Sequence, residues 1–354
     1  MPKTSKKDFL KTPVQQFEAT KVQSVADLID AYKNISFQGR NLGTAMQVWE
    51  NAMNDPDRPT IILGVAGSLM AGGMRKVIRD LMRHKLVDVV VTVGSQPYQD
   101  MYAARGYEFW RGSPDMDDLG LREHMLDRLY DTIVDEDKFR ETDEYLGALA
   151  QKELDPDRTY TTRELIRVFG EHFKDVEDSW VAESYRTNTP VFVPTIHDSS
   201  IGIGMIHNYV EAKKAGKPAP KLDMIRDAYE LAQIKMKSKK TCIIYLGGGV
   251  PKNYIQQTEV ISEVLGHDAG GHQYAVQLTM DMPVWGALSG CTFKEAQSWG
   301  KIAADADFVQ AYVDITIGLP LLTTALIQKK HLWQDRKRLA FDYEGDELRS
   351  IKQV

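Results

Sequence analysis

Short apolar runs, each closed by glycine or a polar turn, recur along this chain and restrict its fold more than any other feature. Residues 60–63 are apolar and β-branched, and Gly64 and Gly67 follow them. Runs 86–93, 190–194, 241–246, 274–279 and 308–315 have the same character. Runs this short and this apolar read as strands buried on both faces. The periodicity between them is helical, at 25–32 (with Ser24 placed to cap it), 42–54, 74–84, 205–215, 222–236, 250–265 and 319–329. Strands alternating with helices make an α/β fold, a mostly parallel, doubly wound, Rossmann-like sheet with helices on both faces. Ligands of such sheets bind beyond the carboxyl ends of the strands. The turns after Leu63, Val93, Pro194 and Leu246 fall at that edge. The neighbourhood of Lys301 joins them, provided the loop after Thr279 also ends there.

Residues 1–40 read as an arm and a helix, the first twenty polar and Lys-rich. Residues 41–333 read as one α/β domain with a helical insertion near 105–160, where helices are expected at 123–133 and 142–151. Further helices are expected at 162–169 and 179–186. Residues 334–354 form a charged tail, expected to be mobile at its end. The 354 residues are 43% hydrophobic, enough for a substantial core. A net charge of −6 with scattered Lys and Arg does not suggest a nucleic-acid partner. Cys242 and Cys291 are the only cysteines, with no disulfide framework or metal-ligand spacing, which fits a reducing, cytoplasmic setting. No secretory h-region follows the basic start, and no apolar run is long enough to cross a membrane.

Chemistry concentrates in the turns. Strand, glycine-rich turn and helix at 60–84 make the mononucleotide-binding arrangement. Gly67, Ser68, Gly72 and Gly73 permit close backbone approach, and the next helix presents N–H groups to a phosphate. The spacing is not G-x-G-x-x-G, and tight packing alone also explains such a turn. The same two readings hold for 247–249. Asp198 either binds a ribose hydroxyl or caps the next helix. Asp314 is either a structural turn carboxylate or a site residue. In 289–302, Thr292 can cap a short helix with Glu295 three places on, a T-x-x-E capping box. Gly300 interrupts that helix. Glu295 and Trp299 share a face, and Lys301 falls about 120° away. Lys301 is either a surface lysine or, desolvated beside Trp299, a nucleophilic amine.

The segment E-A-x-S-W-G-K-I at 295–302 resembles the active site of the deoxyhypusine synthase family. Segments 64–75, 88–95, 190–202 and 245–255 resemble it too, so the likeness runs from about residue 59 to 330. The resemblance implies NAD as cofactor and Lys301 as carrier of a covalent imine, with Glu295 and Trp299 as further catalytic residues. It puts Gly67, Ser68, Leu69, Met70 and Ala71 at the phosphate-binding loop. Val93, Gly94, Ser95, Asp198, Met280, Asp281, Asp314 and Ile315 occupy other cofactor positions, and Gln99, Gly248 and Asn253 occupy substrate positions. The family oxidises spermidine to an imine, passes an aminobutyl group to its lysine, and delivers it to an acceptor amine. In deoxyhypusine synthase that acceptor is a protein lysine; in the related homospermidine synthases it is putrescine. The family forms homotetramers with shared sites.

The donor pocket departs from that pattern. Gln99, Ile203, Trp285 and Leu288 stand where the family carries acids, and Asn253 where it carries a histidine. Asp281 and His197 are candidate replacements outside the expected positions. A buried ammonium without a partner is costly, so the expected donor or acceptor is less cationic than spermidine at one end, or is bound in another register. The expectation is an NAD-dependent transferase moving an alkylamine group through Lys301 to a small amine or a protein lysine. The alternatives are a homospermidine synthase-like enzyme with a small diamine acceptor, and a non-catalytic NAD-binding regulatory protein.

Overall fold

The computed structural model describes residues 5–268 and 270–354. At its centre lie β1 (Thr60–Val65), β2 (Val89–Thr92), β3 (Val191–Phe192), β4 (Thr241–Leu246), β5 (His272–Thr279) and β6 (Ile302–Tyr312), in the order β6-β5-β4-β1-β2-β3. Every pairing in this sheet is parallel. The chain builds outward from β1 to β3, then crosses to the other side of β1 with β4. The strand order therefore reverses between β1 and β4, where doubly wound sheets bind ligands.

Alternation along the strands gives the sheet two buried faces. Ile61, Leu63 and Val65 enter one core with the helices Phe37–Asn54, Arg75–Arg83 and Ile315–Gln328. Ile62, Ile243 and Tyr245 enter the other, with Leu231, Ile255, Phe293 and Leu348. That second face carries the segment leading to Lys301. As the sequence indicates, Ser24 caps Val25–Tyr32, its side chain accepting the Asp27 N–H at 3.0 Å.

Three expectations change. Residues 123–133 are not a helix: Leu126–Leu129 and Thr132–Asp135 pair as antiparallel strands, and Trp110–Arg111 joins them. Met125 and Tyr130 adopt positive φ (54° and 57°), which stops a helix at both ends of Leu126–Leu129. The insertion is thus part sheet, followed by the helix Glu136–Glu153. The tail is not loose: Leu339–Glu344 and Glu347–Gln353 form a hairpin turned at Gly345 (φ 64°), and Leu348 is buried on the second face. The run at 308–315 is not a strand throughout, because β6 starts at Ile302 and Asp314 caps the helix Ile315–Gln328. Of the N-terminal arm, residues 1–4 lie outside the described residues, and residues 9–20 are exposed. No helix among the described residues is long and apolar enough to cross a membrane.

Candidate functional site

The turns at the carboxyl edge meet as the topology requires. Gly67 turns the chain after β1 with φ 84°, a left-handed conformation that favours glycine, and Gly67 and Ser68 are exposed. Leu69 and Met70 are buried in the core and present only main chain to a ligand. Gln99 is also buried, and its Oε1 accepts the Ala71 N–H at 3.0 Å. Ser95 Oγ donates to the Gly67 carbonyl at 3.4 Å, and the Gln96 amide donates to the same oxygen. The glycine turn is therefore fastened to the helix Ser95–Ala104. A Cβ on Gly94 would fall 2.2 Å from Ser199 Oγ, so the turns after β2 and β3 touch here, with Val93 half-buried beside them.

Asp198 is exposed next to Ser199, and Ser199, not Asp198, is the N-cap of Ser200–Lys214. Asp314 does cap: its Oδ1 accepts the Thr316 N–H at 2.8 Å. A Cβ on Gly247 would lie 3.4 Å from Ala66 Cβ and 3.8 Å from Ile315 Cδ1, so the turns after β1, β4 and β6 converge. Met280 and Asp281 are exposed just beyond β5. This edge offers exposed backbone at Gly67–Ser68 for a phosphate and a carboxylate at Asp198 for a hydroxyl, which suits a dinucleotide.

Lys301 lies elsewhere. Its carbonyl accepts the His272 N–H at 3.1 Å, and its N–H donates to the Ala296 carbonyl at 3.1 Å. The loop after Thr279 leaves the carboxyl edge but returns to the amino edge, where β6 begins. β5 spans eight residues, so the two edges are about 25 Å apart along the strand. The expectation that the Lys301 backbone sits with the glycine turns of its own chain is therefore overturned.

The short helix Phe293–Gln297 opens with Thr292 Oγ1 accepting the Glu295 N–H at 3.0 Å. Gly300, at φ 69°, then turns Lys301 out of the helical path. Lys301 Nζ stands 5.5 Å from the Trp299 ring centroid, a contact worth about 0.5–2 kcal/mol. Glu295, Trp299 and Lys301 line one cavity of about 270 Å³, together with Gln256, Pro283, Gly286, Ala287, Leu288, Cys291 and Ala296. Glu295 is the sole carboxylate of that lining. Gln99, Gly248 and Asn253 do not reach it. Gly248 is instead covered by Ser289, whose Cα would lie 2.4 Å from an added Cβ. Asn253 is half-buried one helical turn before Gln256. Ile203 and Trp285 are exposed.

Beneath the cavity is a network that sequence reasoning missed. Lys252 is fully buried, and its Nζ donates to Gln277 Oε1 at 3.0 Å and to the Cys291 carbonyl at 2.6 Å. Gln277 Nε2 donates to the carbonyls of Gly247 and Ser289, each at 2.8 Å. Gln310 Nε2 donates to Gln277 Oε1 at 2.8 Å, and Gln310 Oε1 accepts the Phe293 N–H at 3.2 Å. Burial pushes the Lys252 amine down to about 8, opposed in part by Cys291 and Glu295. These side chains pin residues 289–293 to the sheet and so set where Glu295 starts. The available signal was a glutamine third from the end of each of two strands, Gln277 in His272–Thr279 and Gln310 in Ile302–Tyr312.

Sequence comparison supplies the family. The family profile described as Deoxyhypusine synthase matches residues 27–326. The chain belongs to the deoxyhypusine synthase family. A relative from Methanosarcina acetivorans named "Probable deoxyhypusine synthase 2" is 42% identical over 334 residues, covering 92% of this chain and 93% of its own. A "Deoxyhypusine synthase-like protein" from Chlorobaculum parvum is 35% identical over 350 residues, covering 95% of both. The crystal structure of a putative deoxyhypusine synthase from Entamoeba histolytica shares the fold, with a TM-score of 0.59 at 18% identity over 88% of this chain and 96% of that one.

Proposed function

We propose that this protein is an NAD-dependent transferase that moves an aminobutyl or related alkylamine group through an imine on Lys301 to an acceptor amine. The observation that carries the reading is the convergence of Lys301, Trp299 and Glu295 on one cavity. NAD, when bound, supplies the hydride acceptor that turns the donor amine into an imine. Gly67 and Ser68 would hold its phosphates through main chain, with Ala71, Val93, Gly94, Ser95, Asp198, Met280, Asp281, Asp314 and Ile315 around it. The Lys301 amine adds to the imine carbon, and the departing amine leaves without a hydrolytic step. Trp299 holds the aliphatic chain and faces a cationic end. Glu295 neutralises one ammonium or moves a proton.

The substrate follows from charge. With Glu295 as its one carboxylate and the Lys252 cation close behind, this cavity favours an amine carrying a single ammonium in this region. A polycation such as spermidine in its usual register would leave a second ammonium without a partner. The acceptor is either a small amine or a protein lysine.

A second copy of the chain completes the site in this reading. Within one chain the glycine turns and Lys301 lie at opposite edges of the sheet. Val284 and Trp285, in the loop that lines the cavity, and Trp299 are exposed, and exposed apolar side chains grouped in this way mark an interaction surface. The test is subunit mixing. Lys301→Arg and Asp198→Ala are each expected to be inactive in amine-dependent NAD reduction, and co-refolded mixtures are expected to regain part of the activity. Absence of recovery in mixed oligomers, with wild type active, would sink the shared site.

A further inference from the structure

A buried charged cluster lies under Gly271, unused by the proposed reaction. Lys235 comes from the helix Met224–Lys237, Glu259 from Gly249–Val264 and His272 from β5, and all three are buried. Lys235 Nζ donates to the Gly271 carbonyl at 3.1 Å and pairs with Glu259 Oε1 at 3.1 Å. His272 Nδ1 stands 3.5 Å from that carboxylate oxygen and 2.8 Å from Thr241 Oγ1. The main-chain N–H of the same His272 donates to the Lys301 carbonyl at 3.1 Å. Gly271, at φ 76°, has no room for a side chain, since a Cβ would fall 2.4 Å from Ala303 N. The cluster thus grips the peptide whose N–H holds Lys301.

We propose that Lys235, Glu259 and His272 form a buried clamp that positions Lys301, and that the closed clamp takes up a proton on Glu259 that an opened one gives up. The functional consequence rests on the reading of Lys301 as the reactive group. A buried ion pair holds its two members together, and replacing both by apolar side chains costs less than deleting one. Burial pushes Glu259 up to about 7; Lys235 and the Gly271 backbone oppose this, and Glu263 adds to it. Burial lowers Lys235 against the pull of Glu259 and Asp268. Burial, then the Lys235 charge, drives His272 well below its ordinary value, so it stays neutral. Tyr245, facing from β4, is held well above its ordinary value by burial and by Glu259, and keeps its proton. Near neutral pH the change of charge therefore falls on Glu259.

The test is hydrogen exchange of the full chain, read by mass spectrometry on peptides covering 270–279 and 298–306. Corrected for intrinsic rates, wild-type protection is expected to rise about fivefold or more from roughly pH 8 to roughly pH 6, because the closed form holds the Glu259 proton that an opened, solvated form gives up. Glu259→Gln is expected to hold protection near the wild-type level of pH 6 at both pH values, with no such step. Lys235→Met with Glu259→Leu, an apolar replacement of the pair, is expected to keep protection and lose the step, which separates the clamp from simple loss of folding. Wild-type protection that does not change with pH, or a step that persists in both variants, would overturn the clamp. A step in exchange without any Lys301 adduct would leave the clamp standing and sink the reaction; an adduct with no step would do the reverse.

Discussion

The Lys252 ammonium donates to the Cys291 carbonyl at 2.6 Å, inside the fold and beside Gln277 rather than a carboxylate. It ties the helix that follows the β4 turn to the segment that leads to Glu295.

Lys252 should leave a signature in stability. Its folded value of about 8 lies below the ordinary 10.5. Between the two, the unfolded chain holds a proton that the folded chain has shed, so this group makes stability rise with pH through that window. The span corresponds to roughly 3 kcal/mol. Urea unfolding across that range should show the slope in wild type and its loss in Lys252→Met. The same variant should lower turnover, because residues 289–293 lose an anchor.

Asp88 gives a slope of the same sign in the acid range. Burial raises its carboxyl, but Arg58, bonded at 2.9 and 2.7 Å, and Arg336 outweigh that and hold it below 3.8. Its contribution is present above the ordinary value and fades as pH falls through the folded one. Asp88→Asn should destabilise by about 3–5 kcal/mol at neutral pH by thermal or urea unfolding, since it leaves buried guanidinium groups unpaired.

Gly94 should be intolerant of any side chain. In Gly94→Ala the new methyl meets Ser199 and displaces the turn that carries Asp198. NAD affinity measured by calorimetry should fall about tenfold or more, and Gly94→Ala with Ser199→Gly should recover part of it. Equal loss in the single and double variants would mean that the two turns are not coupled.

The C-terminal hairpin should behave as core. Leu348 is fully buried against Leu231 and Ile234, and its N–H donates to Gln233 Oε1 at 2.8 Å. Leu348→Ala should cost about 2–5 kcal/mol in urea unfolding. A change within experimental error would show that the hairpin does not support the domain.

The centre of the sheet was legible because β1, β2 and β4 are largely apolar and run into glycine turns: Thr241–Leu246 matches to the residue. The tail was not, because one hydrophobic position in two or three, among charges, looks like solvated chain until Leu348 finds its pocket. Residues 123–133 misled because Leu126, Leu129 and Ile133 fit helical spacing, whereas the positive φ of Met125 and Tyr130 is invisible in the sequence. At the site, Glu295, Trp299 and Lys301 could be read from local spacing and from resemblance. The Lys252–Gln277–Gln310 network could not, since its members are 25 and 33 residues apart along the chain and meet only across the sheet. The edge on which Lys301 sits depended on the direction of β6, which only its parallel pairing with β5 fixes.

The most direct measurement is covalent trapping. The protein is incubated with NAD and a series of amines, from monoamines through agmatine-like compounds to spermidine, reduced with borohydride, digested and analysed by mass spectrometry. The account predicts an alkylamine adduct on the peptide carrying Lys301, strongest for amines with a single ammonium at the donor end and absent in Lys301→Arg. A protein that binds NAD yet forms no adduct with any of these amines, or forms it on another lysine, would contradict it.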